Sequence, residues 1–313
     1  KGMIRGSFDL FRDHRTDILI GGSDRSVPSY FGMSAPTANL GEVKTKGYEI
    51  EIKFNKDIDA VKGLNVWANM NMTHAENKII NREDSELLPS YRKQAGYAIG
   101  QYRMQLENGF MQTYDDVYAS PQFQVQDNFK LPGDYCYVDF NGDGVINSDD
   151  NAPIAYSNIP QNTYNATLGV NYKGWGAFVQ FYGVSNVSRD VALTSFGFDL
   201  DNVYETGTWW ADDHENAEVV TPRYLTKEAN RTATQFLYDG SYIRLKNAEI
   251  SYTFNSLKVG RYKFSNVKIY VNGNNLWVHT KMPDDRESNL SGVGYQGQYP
   301  TVKRFTLGLK FSL

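Results

Sequence analysis

The 313 residues carry 36 acidic and 32 basic side chains, a formal charge of -4 that gives no electrostatic case for a nucleic-acid partner. No run of about 18 apolar residues is present for a transmembrane helix. The one cysteine, Cys136, cannot form an internal disulfide, so a disulfide-stapled secreted domain is excluded. Aromatic content is high, at 14 %, with 22 Tyr and 17 Phe. Apolar and polar residues alternate with a period of two along most of the chain, the pattern of strands with one apolar face. In chain order the alternation predicts strands over 2–12, 45–55, 63–74, 99–111, 132–139, 163–173, 175–185, 241–254, 266–279 and 301–313. Tyr48, Ile50, Ile52 and Phe54 share one face of the second. Leu64, Val66, Ala68, Met70 and Met72 share one face of the third, opposite Asn65, Asn69 and Asn71. Tyr164, Ala166, Leu168, Val170 and Tyr172 repeat the pattern, and so do Phe305, Leu307, Leu309, Phe311 and Leu313.

Three features favour a membrane barrel over a soluble sandwich. The strands run to roughly ten residues, near the ~9–11 that cross a bilayer and beyond the usual ~5–6 of globular sheets. Aromatic residues gather at strand ends: Tyr48 and Phe54, Tyr164 and Tyr172, Trp175, Tyr252 and Phe254. Amphipathic rings prefer the headgroup level. The connections also alternate, short at 56–62, 173–174 and 255–265, long at 13–44, 76–97, 188–239 and 280–300. Short periplasmic turns and long outer loops are the habit of such barrels, and the final strand then runs inward, ending at the periplasmic side. The expected fold is all-β, an antiparallel transmembrane β-barrel of about ten strands, which must close alone or within a larger barrel because lipid leaves no backbone group unpaired. Lys1 is followed by no apolar signal segment, so a signal peptide is expected to lie outside this chain.

The sharpest chemical motif is Asp139-Phe-Asn141-Gly-Asp143-Gly144-Val145-Ile-Asn147-Ser-Asp149-Asp150. It follows a calcium-loop pattern, with hard oxygens at positions 1, 3 and 5 and a glycine at 6. Val145 offers a carbonyl at 7, Asn147 sits at 9, and Asp150 stands at 12, where a bidentate Glu is usual. No long amphipathic helices flank it, so a structural calcium ion bracing an outer loop is the expectation; an Asp/Asn/Gly turn needing no metal is the alternative. The acidic segment 199–218, with Asp199, Asp201, Glu205, Asp212, Asp213, Glu215 and Glu218 around Trp209 and Trp210, has the composition of a sugar-stacking site or of a folded loop whose tryptophans pack inward. His14, His74, His214 and His279 have no metal-ligand spacing, and no nucleophile elbow, zincin, phosphate loop or redox pair is present, so no catalysis is expected.

Several strings in order carry a family resemblance. Asn39-Leu-Gly-Glu-Val-Lys-Thr-Lys-Gly47-Tyr-Glu-Ile opens a strand; the aspartate loop 139–150 follows; then come Asn171-Tyr-Lys-Gly-Trp175 and Trp210 with Glu215-Asn216-Ala217 and Pro222-Arg223. Ser241-Tyr-Ile-Arg-Leu-Lys-Asn247, Val271-Asn-Gly-Asn-Asn-Leu276 and Tyr299-Pro-Thr301 complete the series. Together they resemble the C-terminal portion of SusC/RagA-type TonB-dependent outer-membrane transporters. Thr45 stands where the family pattern has asparagine, and Phe311 lies two residues before the end, where the family has a terminal aromatic. The resemblance implies that residues 1–313 are the last ten or so strands of a barrel of about 22, with plug domain and TonB box outside this chain. It also implies import of glycan oligosaccharides or peptides, a SusD-like surface lipoprotein as lid, energy through the TonB complex, and a setting in outer-membrane lipid. A self-contained small outer-membrane barrel and a soluble calcium-braced carbohydrate-binding β-protein are the competing readings. Whether the face carrying Ile50, Val170, Leu307 and Leu309 is covered by a second layer decides between membrane and soluble forms.

Overall fold

The alternating segments form long strands. The computed structural model describes residues 2–28, 30, 32–190, 209–211, 217, 234, 237–282 and 301–312. Strands β1 (Ile4–Ile20), β2 (Ala38–Asp57) and β3 (Leu64–Asn81) come first. An outer segment follows, with β4 (Arg103–Met104), β5 (Glu107–Phe110), helix α1 (Tyr114–Ala119), β6 (Gln122–Phe123), β7 (Tyr135–Tyr137), β8 (Val145–Ile146) and β9 (Ala152–Pro153). Then come β10 (Asn162–Tyr172), β11 (Trp175–Ser185), the short β12 (Ser188–Asp190) and β13 (Leu237–Asp239), β14 (Tyr242–Val259), β15 (Tyr262–Thr280) and β16 (Arg304–Ser312). One antiparallel sheet of eight strands runs in the order β1-β2-β3-β10-β11-β14-β15-β16, so each long strand pairs with the next one in sequence. The described sheet has two edges, β1 and β16.

The register sorts the side chains into two faces. One row of direct partners is Ile4, Phe54, Ala68, Leu168, Val179, Ala248, Gly273 and Phe305, apolar across all eight strands. The row one residue away is Arg5, Lys53, Asn69, Thr167, Gln180, Asn247, Asn274 and Arg304, polar across all eight. The side-chain period of a strand is two, so these rows lie on opposite faces. Among the described residues nothing covers the apolar face: Leu307 is 76 % exposed, Leu309 and Ile250 61 %, and Val170 37 %. Among the described residues the two clusters of buried hydrophobics lie elsewhere. Phe123, Tyr135, Tyr137 and Ile146 form one in the outer segment; Val184, Val187, Tyr242 and Met282 form the other at the outer end of β11 and β14. A broad apolar face without a second layer is the wall of a transmembrane barrel, where hydrocarbon covers it.

Turns sort by length as well. The strand ends joined by the tight connections 58–63, 173–174 and 260–261 lie at one end of the sheet; the strand ends that flank the longer stretches 21–37, 82–161, 186–241 and 281–303 lie at the other. Lys173 and Gly174 both take positive φ, 46° and 91°, the two-residue hairpin turn whose twist matches the strands. Register places Ser312 beside Ser265, so β16 ends on the tight-turn side.

Two of the ten expected strands are corrected. Residues 99–111 and 132–139 do not join the sheet; they supply only β4, β5 and β7, each of four residues or fewer. Their apolar alternation serves a small outer module instead. There β5 pairs with β7, and Phe110, Tyr135 and Tyr137 pack on one another with ring centroids 5.2 and 6.3 Å apart. The wall strands in turn run further than expected. β1 continues to Ile20 and β3 to Asn81 through polar residues, because the outer ends of strands exceed the ~9–11 residues a bilayer needs and stand in water.

Candidate functional site

The polar face of the sheet is the lumen side. Asn65, Asn69, Asn71, Asn165, Asn171, Glu249 and Asn272 all fall on it. Their side chains join across strands. The Asn65 amide donates to Asn55 Oδ1 at 2.8 Å and to Asp57 Oδ1 at 2.9 Å, and Gln180 donates to Asn165 at 3.1 Å. Asn272 donates to Asn247 at 2.7 Å, and Lys268 Nζ lies 2.6 Å from Glu249 Oε1. A wall of amides with few net charges suits either a hydrated polar cargo or a protein surface inside the barrel.

Sequence alternation alone did not mark the aromatic rings on this polar face. Trp67 lies flat over its direct partner Gly169, where an added Cβ would meet the indole at 2.3 Å; Tyr270 lies over Gly308, and Phe11 over Gly47. A glycine directly opposite an aromatic residue is the signal that finds such pairs, since only a missing side chain leaves room for a ring against the backbone.

The acidic loop sits in the outer module between β7 and β9. Gly142 and Gly144 take φ of 75° and 85°, which turns the chain back sharply. Asp139 accepts the N–H of Gly142 at 2.7 Å on Oδ1 and that of Gly144 at 2.7 Å on Oδ2. Asp143 Oδ1 accepts from Val145 N–H at 2.8 Å. Asp150 is fully buried, accepting from Phe140 at 2.9 Å and Asn147 at 2.8 Å, so it staples the two ends of the loop. Asn147 caps the short turn 148–150 from the other direction, accepting from Asp149 N–H at 2.6 Å. Outside the loop, Tyr91 donates to the Asp149 carbonyl at 2.5 Å, and Arg92 pairs with Asp149 at 2.8 Å. Among the described residues no three carboxylate, imidazole or thiolate groups converge as a metal cluster. The loop's oxygens are hard donors held by backbone N–H groups; each carboxylate has about four lone-pair sites, so acceptor capacity is left for a cation.

Trp210 donates its indole N–H to Gln112 Oε1 at 2.8 Å, and Trp209 is about half exposed beside it. Their acidic neighbours Asp199, Asp201, Glu205, Asp212, Asp213, Glu215 and Glu218 lie outside the described residues, as does His214. His14 pairs with Glu42 at 2.5 Å, His74 bonds Asn162 at 2.6 Å, and His279 stacks on Trp277; none approaches another. On the outer surface the Arg25 guanidinium meets Glu83 at 2.7 and 2.9 Å, and its hydrogen bonds hold the Glu83 carboxyl below its ordinary range.

No family model matches the chain. It is 26 % identical over 97 % of its length to "TonB-dependent receptor P3" of Formosa agariphila, and 25 % identical over 98 % to "TonB-dependent receptor SusC" of Bacteroides thetaiotaomicron. It spans 32 % and 30 % of those proteins, about a third of the curated relatives it matches. Among solved structures, the RagAB peptide transporter superposes with a TM-score of 0.69 at 18 % identity, covering 99 % of this chain and 33 % of that one. The RagAB peptide importer in its open-open state gives 0.71 at 21 %, again covering 99 % and 33 %. Along its whole length the chain is thus similar to SusC/RagA-type TonB-dependent receptors, as its motifs implied, and it matches about a third of such a protein.

Proposed function

We propose that this chain is barrel wall in an outer-membrane importer of the SusC/RagA type, working with a SusD-like surface lipoprotein and powered through TonB. The observation that carries the reading is the pair of eight-strand rows, one apolar throughout and one polar throughout. A soluble carbohydrate-binding β-protein would have to seal the apolar row from water, and nothing in the described residues does so. A self-contained small barrel would have to join β1 to β16; in a receptor of the length of its relatives, further strands pair both edges. The amide-rich lumen suits oligosaccharide or peptide cargo, and import rather than catalysis fits the relatives' names. The test is uptake in cells of the native host. Deleting the gene, or its tonB, is expected to abolish accumulation of the glycan or peptide class on which the wild type grows; equal accumulation on every class would overturn the reading.

The loop 139–150 is proposed to hold a structural calcium ion, ligated by Asp139, Asn141, Asp143, Val145, Asn147 and Asp150. Support comes from the hard-oxygen pattern and the two glycine turns. Calorimetric titration of the full-length protein is expected to show one site, lost in Asp143→Ala. Chelation is expected to open 139–150 to protease while the barrel's thermal unfolding stays put. No heat of binding and an unchanged protease pattern would rule the ion out.

A further inference from the structure

The lipid-facing wall carries a groove of about 590 Å³, within the ~300–1,000 Å³ span of small-molecule sites. Val179, Ala248 and Gly273 form its floor on three adjacent strands; Leu168, Leu276 and Phe305 stand as walls. Leu276 is folded onto Gly273, where an added Cβ would meet its side chain at 2.8 Å, so the missing side chain sets the depth there. Leu168, Val179, Ala248, Gly273 and Phe305 form one row of direct partners on the apolar face; Leu276 lines the groove from the bulge after Asn274, and the groove is continuous with the surface that hydrocarbon covers.

Directly below it, on the periplasmic side, lies a second feature. Trp175 and Tyr252 are direct partners with ring centroids 5.0 Å apart, and Phe254 packs on Tyr252 at 4.7 Å. In the adjoining tight turn the exposed Lys173 holds its ammonium 5.0 Å from the centre of the Tyr172 ring, which faces lipid beside Trp175. Rings of this kind mark the headgroup level. From Trp175 to Val179 is four residues, about 13 Å along a strand. A cation at headgroup height, with an apolar groove rising from it into the hydrocarbon, has the dimensions and charge of one lipid molecule.

We infer that the wall binds a single anionic phospholipid of the periplasmic leaflet, its acyl chain in the groove over Ala248 and its phosphate at Lys173. The inference needs only the membrane wall, not the proposed cargo. Native mass spectrometry of the full-length, delipidated protein tests it, with phosphatidylglycerol and phosphatidylcholine as probes. One phosphatidylglycerol is expected to be retained in preference to phosphatidylcholine. Lys173→Gln is expected to remove that preference, about a five-fold loss. Ala248→Phe, which fills the groove, is expected to lose both lipids, and Ile52→Ala on β2 to lose neither. Lys173→Gln is a turn substitution that leaves the wall intact, so the test survives if Ala248→Phe fails to insert. An unchanged preference in Lys173→Gln, unchanged retention in Ala248→Phe, or a second barrel seated on the groove in place of lipid would overturn the proposal.

Discussion

Arginine in place of Leu168 is expected to destabilise the barrel in lipid by about 2–4 kcal/mol, whereas arginine in place of its neighbour Thr167 is expected to cost about 1 kcal/mol or less. The two residues are adjacent in β10, and their partners separate them completely. Leu168 pairs with Ala68 and Val179 in the apolar row; Thr167 pairs with Asn69 and Gln180 in the polar one. A guanidinium on the first face must drag water or headgroups into hydrocarbon, while on the second it meets a hydrated lumen wall. Denaturant unfolding of the full-length protein in phospholipid vesicles gives both numbers. Equal losses at the two positions would mean that the faces are not lipid and lumen.

The second large effect concerns glycines under aromatic rings. Gly169→Ala places a Cβ 2.3 Å from the Trp67 ring, and overpacking of this sort costs about 1–3 kcal/mol. The obstacle is a side chain alone, so Trp67→Ala is expected to relieve most of the penalty in the double variant. Gly47→Ala differs. Its Cβ would meet the Phe11 ring at 2.5 Å and also the His74 backbone carbonyl at 2.0 Å. Phe11→Ala is therefore expected to leave most of that loss in place, because a carbonyl in the β2–β3 ladder cannot rotate aside. Thermal or denaturant unfolding of the four single and two double variants separates the cases; rescue at Gly47 as complete as at Gly169 would contradict the backbone clash.

Eight wall strands were legible from alternation because a membrane sheet leaves each side chain only two environments, and their contrast is strong. The same cue misled at 99–111 and 132–139. Phe110, Tyr135 and Tyr137 alternate with polar residues just as wall residues do, yet they face a local core built with Phe123 and Ile146. Period two reports a pleated chain with one dry side; it does not report whether the dryness is lipid or protein. Strand ends were misplaced for the opposite reason. Beyond the bilayer both faces of β1 and β2 are wet, so pairs such as His14 with Glu42 break the alternation although the ladder continues. In the aspartate loop, residue types and glycine positions were readable, whereas the burial of Asp150 and its role as a staple emerge only once Phe140 and Asn147 are folded against it.

The outer module occupies residues 82–161, yet the strands on either side of it, β3 and β10, are direct neighbours, joined from His74–Asn162 down to Leu64–Tyr172. Its two attachment points are therefore fixed by the wall whatever lies between them, and the entropy of closing a longer connection grows only with the logarithm of its length. Such a module is a graft. Its contents can be exchanged, enlarged or rebuilt over generations while the stave-work beneath keeps its register, so selection on that end of the molecule would have a place to act that leaves the wall untouched.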